Sequence, residues 1–248
     1  MGAPEWIFIC VFNQRDLSFA PSMSNFNADG GSENQWEDRG ELAWNEFDWE
    51  RYLREQDEAV QRYAKFYEAS RSVPDRIDKV AEKMNWGQQE WTDESGSDAD
   101  DDDDDEDDDD SPEDVYTLQK NPIFIASKAI CLCLGRSWEE LAADSTRVPQ
   151  PLAVSFLASL HRCEEQSVQA LHALDFGDYA MAVSLLKRAM AALNATLALL
   201  NDESINHLPS VRAWREEAFA RFFDLREIWL RVIAECRDEL TRPSDEEG

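Results

Sequence analysis

Between positions 98 and 110 the chain places twelve acidic residues in thirteen, with Ala99 the lone exception. No packed element tolerates that density. The like charges repel, and there is no apolar burial to offset the repulsion or the entropy of ordering the backbone. The run therefore reads as the centre of a disordered acidic linker over 93–114, which divides the 248-residue chain into two parts. Extended, a linker of this length spans up to roughly 70 Å, so it imposes almost no geometry on what it joins.

The linker also explains most of the charge. Sixteen acids and no base in 93–114 supply more than half of the net −29, while 1–41, 42–92 and 115–248 contribute −5, −3 and −5. No region is dominated by basic residues, so direct binding to a nucleic-acid backbone is not expected. Because the acidity is local, mimicry of DNA by the whole body is not expected either. The run itself reads as a solvated spacer. The competing reading is a segment that recruits basic proteins or weakly holds divalent cations.

On either side of the linker the apolar residues recur at helical spacing. Leu42 to Ser70 reads as a long helix, with Trp49, Leu53, Gln56, Val60, Tyr63 and Tyr67 on one stripe. Val73-Pro74-Asp75 reads as a turn with Pro74 at the first helical position of a second helix carrying Ile77, Val80, Ala81 and Met84, stopped by Gly87. This hairpin, 42–92, carries nine aromatic residues between Trp44 and Trp91. A hairpin of that length rarely buries so much surface alone, so it is expected to dock on the C-terminal part or on a partner.

The C-terminal part, 115–242, reads as a helical bundle. Asn121-Pro122 opens an apolar helix ending near Gly135, and Ser137-Trp138-Glu139-Glu140 is a capping-box pattern for a separate short helix. A long helix follows Pro149 and Pro151 to about Leu174, and Asp175-Phe176-Gly177-Asp178 forms a tight turn. Tyr179, Val183, Leu186, Met190, Leu193, Leu197 and Leu200 then alternate spacings of four and three, the signature of a bundle seam. After Pro209 the pattern repeats through Val211, Trp214, Ala218, Phe222, Leu225, Trp229, Val232, Cys236 and Leu240. No segment reads as a strand. The expected fold is all-α: a bundle of about five to seven helices, a disordered N-terminal segment over 1–41, the acidic linker, and a tail over 243–248.

Chemistry-bearing motifs are few. Only Gly30 and Gly31 are adjacent among nine glycines, so no glycine-rich loop opens a helix to cradle phosphate. Asp175-Phe176-Gly177 matches the kinase metal-binding triplet by letter, without the glycine-rich and catalytic loops that give it meaning, and is read as a turn. Cys131-x-Cys133 and His161-x-Cys163 have the wrong spacing for one ion, because helical positions two apart point roughly 200° apart. Cys10, Cys131, Cys133, Cys163 and Cys236 are an odd set at scattered apolar positions, as expected of reduced thiols in a cytoplasmic protein. Trp6 to Phe12 is too short and lacks the basic flank of a signal peptide. No run approaches the ~20 apolar residues of a spanning helix, and no membrane partner is expected. Met23 begins a more ordinary polar N-terminus, so 1–22 is expected to make no essential contact.

Gly177-Asp178-Tyr179, followed by Ala182, Leu186 and Ala189, resembles the second helix of a tetratricopeptide hairpin over about thirteen residues. Gln166, Gln169 and Ala173 stand where that motif wants its large apolar pattern, and no second copy follows. The likeness is that of one helix pair to another.

One constellation remains. On the 152–174 helix, Leu157, Leu160, Val168 and Leu171 define a stripe with Glu164 in its middle and His161, Glu165 and His172 along one edge. A carboxylate in a seam beside two imidazoles would suit a metal or general acid–base chemistry. The plainer expectation is that Glu164 pairs with an arginine of the last helix, which offers Arg212, Arg215, Arg221, Arg226, Arg231 and Arg237. No catalytic residue, metal or cofactor is expected. The chain reads as a non-enzymatic helical interaction or scaffold protein, with a protein partner engaged through the aromatic hairpin or the acidic run. The alternative is a helical-bundle enzyme or metal-binding protein centred on His161, Glu164, Glu165 and His172.

Overall fold

The computed structural model describes residues 45–86, 121–205 and 207–242. The segments expected to be disordered, the tail, Cys10, Met23 and Gly87 lie outside the described residues. Among those described are six α-helices and one short 3₁₀ turn, Glu203–Ile205, and no strand. The helices are α1 (Glu46–Ala69), α2 (Arg76–Lys83), α3 (Pro122–Ala142), α4 (Gln150–Asp175), α5 (Tyr179–Leu200) and α6 (Pro209–Thr241).

Local chemistry sets most of the helix ends. Asn45 closes a capping box on α1: its Oδ1 accepts from the Phe47 and Asp48 amides at 2.8 and 3.2 Å, and Asp48 Oδ2 accepts from the Asn45 amide at 3.1 Å. At the end of α2 the Asn85 backbone turns left-handed, with φ +61°. The Trp86 amide then reaches the Ala81 carbonyl, and the Asn85 amide the Glu82 carbonyl. This is a Schellman closure with asparagine in the usual glycine position. It stops α2 two residues before the expected Gly87. Gly177, at φ +72°, closes α4 in the same way, and Asp178 then caps α5 by accepting from the Met181 amide at 2.8 Å.

Three boundaries differ from expectation. α1 starts at Glu46 behind the extended Asn45 cap, not at Leu42. Pro74 lies within the turn, and Asp75, itself left-handed at φ +56°, precedes the first residue of α2. More consequentially, α3 is one continuous helix through Gly135 and the Ser137 capping pattern. Ser137 points inward, donating to the Leu134 carbonyl at 3.1 Å and accepting from the Trp214 indole at 3.0 Å. Trp138 beside it is fully buried and donates to the Ala153 carbonyl at 3.2 Å. Burying two indoles with their N–H groups satisfied outweighs the local preference for a cap.

Helices α3 to α6 form an antiparallel four-helix bundle in which each helix packs on its two neighbours around the ring. Trp229 to Ser127 at 3.2 Å and Trp214 to Ser137 at 3.0 Å fix α6 antiparallel to α3. Ser159 to Thr196 at 2.7 Å and the Cys163 thiol to the Ala189 carbonyl at 3.6 Å fix α5 antiparallel to α4. One end of the core is aromatic: Trp138 lies 4.3 Å from Phe156 and 4.8 Å from Trp214, ring centre to ring centre, and Phe222 closes the cluster against Phe156.

The α5 seam is shifted by about one position from its expected line. Leu186, Leu193 and Leu200 are buried, but the innermost row also contains Ala182, Ala189 and Thr196, while Tyr179, Met190 and Leu197 sit at the flanks. Small side chains seven residues apart let the α4 backbone approach closely, and the larger ones cover the sides. By length and composition α5 is also apolar enough to cross a bilayer. Here it is a wall of the bundle, with Lys187 and Arg188 exposed at its middle.

Candidate functional site

The α1–α2 hairpin packs chiefly through α1 on α3 and reaches α6 with its side chains, and its interior residues join the same core as the bundle. Val60, Tyr63 and Tyr67 of α1, and Ile77, Val80 and Ala81 of α2, are buried there. Tyr63 is sandwiched by aromatic rings, with Tyr67 at 6.1 Å and Trp86 at 5.4 Å, both stacked.

Charged groups then tie the hairpin to α6. Arg221 Nη2 donates to both carboxylate oxygens of Glu68 at 2.9 Å, and its Nε adds a third bond at 3.1 Å. Asp224 Oδ2 accepts from both the Tyr67 hydroxyl and Arg76 Nε, and the Arg76 guanidinium lies 4.7 Å from the centre of the Tyr67 ring. Arg231 donates to Asp78 at 2.6 Å and to Glu227 at 2.9 Å. Arg71 reaches Glu217 at 2.7 Å on the surface. Burial disfavours the charge on Arg231, yet the two carboxylates more than compensate and hold its pKa above the ordinary value. Burial, reinforced by Asp224, pushes the Tyr63 and Tyr67 phenols far above their usual range, so both stay neutral. The Tyr63 hydroxyl is fully buried with no hydrogen-bond partner among the described residues.

Beside these pairs an open groove of about 420 Å³ runs between the α1–α2 turn and α6. Val73, Ile77 and Phe223 supply its apolar surface, and Arg76, Asp224 and Arg231 line it as well. Its three arginines, Arg71, Arg76 and Arg231, are already engaged by carboxylates, so the groove presents no free guanidinium. Further along α1 the apolar stripe outruns the body: Trp49 and Leu53 are 47% and 43% exposed, and Phe47 is 72% exposed.

The constellation expected on α4 is not assembled. The buried line of α4 runs through Phe156, Leu160, Cys163, Ser167, Ala170, Leu171 and Leu174, which moves Glu164 from the middle of the seam to its edge. Its partner is Lys128 of α3 at 3.4 Å, not an arginine of α6. Four of the six arginines proposed for it lie elsewhere or on other partners: Arg221 and Arg231 hold the hairpin, Arg215 donates to the Leu200 carbonyl at 3.0 Å, and Arg226 is exposed. His161, Glu165 and His172 are exposed, and Glu165 accepts from Gln169 at 3.4 Å. Among the described residues no three His, Cys, Asp or Glu side chains converge as a ligand set.

The thiols are unreactive by environment. Burial pushes Cys131 well above the ordinary value, Cys133 up to about 11, and Cys163 and Cys236 up to about 12. Asp175-Phe176-Gly177 is a helix-closing turn with Phe176 87% exposed. The ionic junction was missed in the sequence. Its acids and bases look like ordinary alternating surface charge, and only the packing of α6 against two other helices selects which of them meet. No family model matches the chain, and no curated protein or solved structure shows significant similarity to it.

Proposed function

We propose that this protein is a non-enzymatic helical interaction protein that engages a protein partner through the N-terminal half of α1. The observation that supports it is the stripe on that helix. A largely apolar row, interrupted by Gln56, runs from Trp49 to Tyr67; Val60, Tyr63 and Tyr67 are buried in the core, while Trp49 and Leu53, on either side of the buried Tyr52, remain half exposed. Aromatic side chains are the residues most often used to anchor protein interfaces, because they bury much area at little entropic cost. The arginines and carboxylates of the junction, by contrast, are occupied in holding helices together.

The test is a comparative affinity capture. Wild-type chain and the Trp49→Glu/Leu53→Glu double variant are used as baits in the same native lysate. The expected result is a protein retained stoichiometrically by the wild type and lost with the variant, with the two baits melting within about 2 °C of each other. Identical captured sets with both baits would overturn the proposal.

A further inference from the structure

The junction between hairpin and bundle is built differently from the bundle interior. The bundle core is Trp, Phe, Leu, Ile and Ala with uncharged hydrogen bonds. The junction buries Val60, Ala64, Ile77, Val80 and Ala81, and with them Tyr63, Tyr67 and Arg76, the last two tied to Asp224. It leaves the Tyr63 hydroxyl unpaired and closes with three ion pairs, on Glu68, Asp78 and Asp224. The apolar side chains of the hairpin belong to the common core, but the paired charges along α6 give this contact the more polar character of an interface between units of one chain.

Trp86 and Asn121 are joined by 34 intervening residues, 87–120, which can span roughly 110 Å. The four-helix bundle meanwhile closes on itself, with its Trp138, Phe156, Trp214 and Phe222 cluster drawn from α3, α4 and α6 alone. Lifting α1 and α2 away removes no member of that cluster.

Resting on the interaction reading above, we infer that α1–α2 is a releasable cover seated on α3 and latched to α6 by Glu68–Arg221, Asp78–Arg231 and the Tyr67–Asp224–Arg76 triad. It opens as one unit while α3–α6 stays folded. Opening exposes Val60, Tyr63 and Tyr67 of the stripe, which are buried in the closed form. It also exposes more of the Cys133 thiol, which is half-buried in the closed form.

Hydrogen exchange by mass spectrometry on the full chain tests this without any partner, so the outcome is independent of the capture experiment. Amides of α1 beyond Val60 and of α2 should share one opening rate, at least tenfold faster than the slowest amides of α4 and α5. Asp224→Asn should accelerate that unit by a further tenfold or more and leave α4–α5 unchanged, with alkylation of Cys133 rising in parallel and that of Cys163 not. Glu68→Gln should do the same from the other side of the latch. Wild-type exchange of α1–α2 in step with α4–α5, or a variant that speeds all six helices equally, would show one cooperative body and overturn the latch. Should either variant fail to fold, the wild-type rates alone decide.

Discussion

The α4–α5 contact and the contact of the hairpin with α6 are both made by helices whose apolar residues recur every three or four positions, yet they are held in different ways. Between α4 and α5 the innermost side chains are small: Cys163, Ser167 and Ala170 face Ala182, Ala189 and Thr196. Backbones come close, dispersion contacts multiply, and the hydrogen bonds that cross are uncharged. Between the hairpin and α6 the side chains are long and polar at their tips. Tyr67, Arg76, Arg221, Asp224 and Arg231 reach across and meet end to end. The first contact loses little when solvent or ionic strength changes, whereas the second depends on each charge keeping its partner. Helical periodicity alone says that a face is buried; the size and polarity of the side chains on that face say how firmly.

That contrast can be broken most forcefully from the bundle side. Trp138→Ala removes the fully buried centre of the aromatic cluster and should cost about 3–5 kcal/mol, lowering the denaturant midpoint for every helix together. A loss confined to α1–α2 would mean that the bundle core lies elsewhere.

On the junction side, Asp224→Ala leaves the Arg76 guanidinium and the Tyr67 hydroxyl unpaired in a largely buried setting. It should cost about 3 kcal/mol for docking the hairpin. Fluorescence and exchange should report a first transition in α1–α2, followed by bundle unfolding at the wild-type midpoint. A single transition in this variant would erase the distinction between the two contacts.

Tyr63→Phe sharpens the comparison in the opposite direction. The hydroxyl is buried and unpaired, so deleting it should stabilise the junction by about 1 kcal/mol and slow hairpin exchange severalfold. The stacking on Tyr67 and Trp86 is retained. A destabilised variant would reveal a partner for that hydroxyl.

The smallest effect is expected at Glu164. Its pair with Lys128 is long and both side chains are partly solvated, so Glu164→Leu should change stability by less than about 1 kcal/mol. A loss well beyond that, measured by urea unfolding, would return Glu164 to the centre of a seam and reopen its role as more than an edge contact.

The candidate site was legible only in part. Trp49, Leu53, Val60, Tyr63 and Tyr67 stand at helical spacing in the sequence, and that was enough to expect an aromatic hairpin needing a docking surface. Which arginines hold it was not legible. Glu164 looked central because Leu157, Leu160, Val168 and Leu171 are larger than Cys163, Ser167 and Ala170, and a hydrophobic pattern weights size. In the fold Leu160 and Leu171 share the buried line with those small residues, which allow the closest approach to the neighbouring helix, while Leu157 and Val168 flank it.

What the sequence determined by itself were the features that act over a few residues. Asn45, Asn121 and Asp178 begin helices and Gly177 ends one, because caps and left-handed turns are satisfied by the residues next to them. The all-α class followed from apolar spacing within single helices. The tertiary structure decided what depends on groups distant in the chain. It carried α3 through Gly135, since Trp138 and Ser137 gain more from Ala153 and Trp214 than from a local cap. It gave Glu164 to Lys128 and Glu68 to Arg221, because a charge pairs with whichever opposite charge the packing brings within reach, and that distance is not written in the order of the residues.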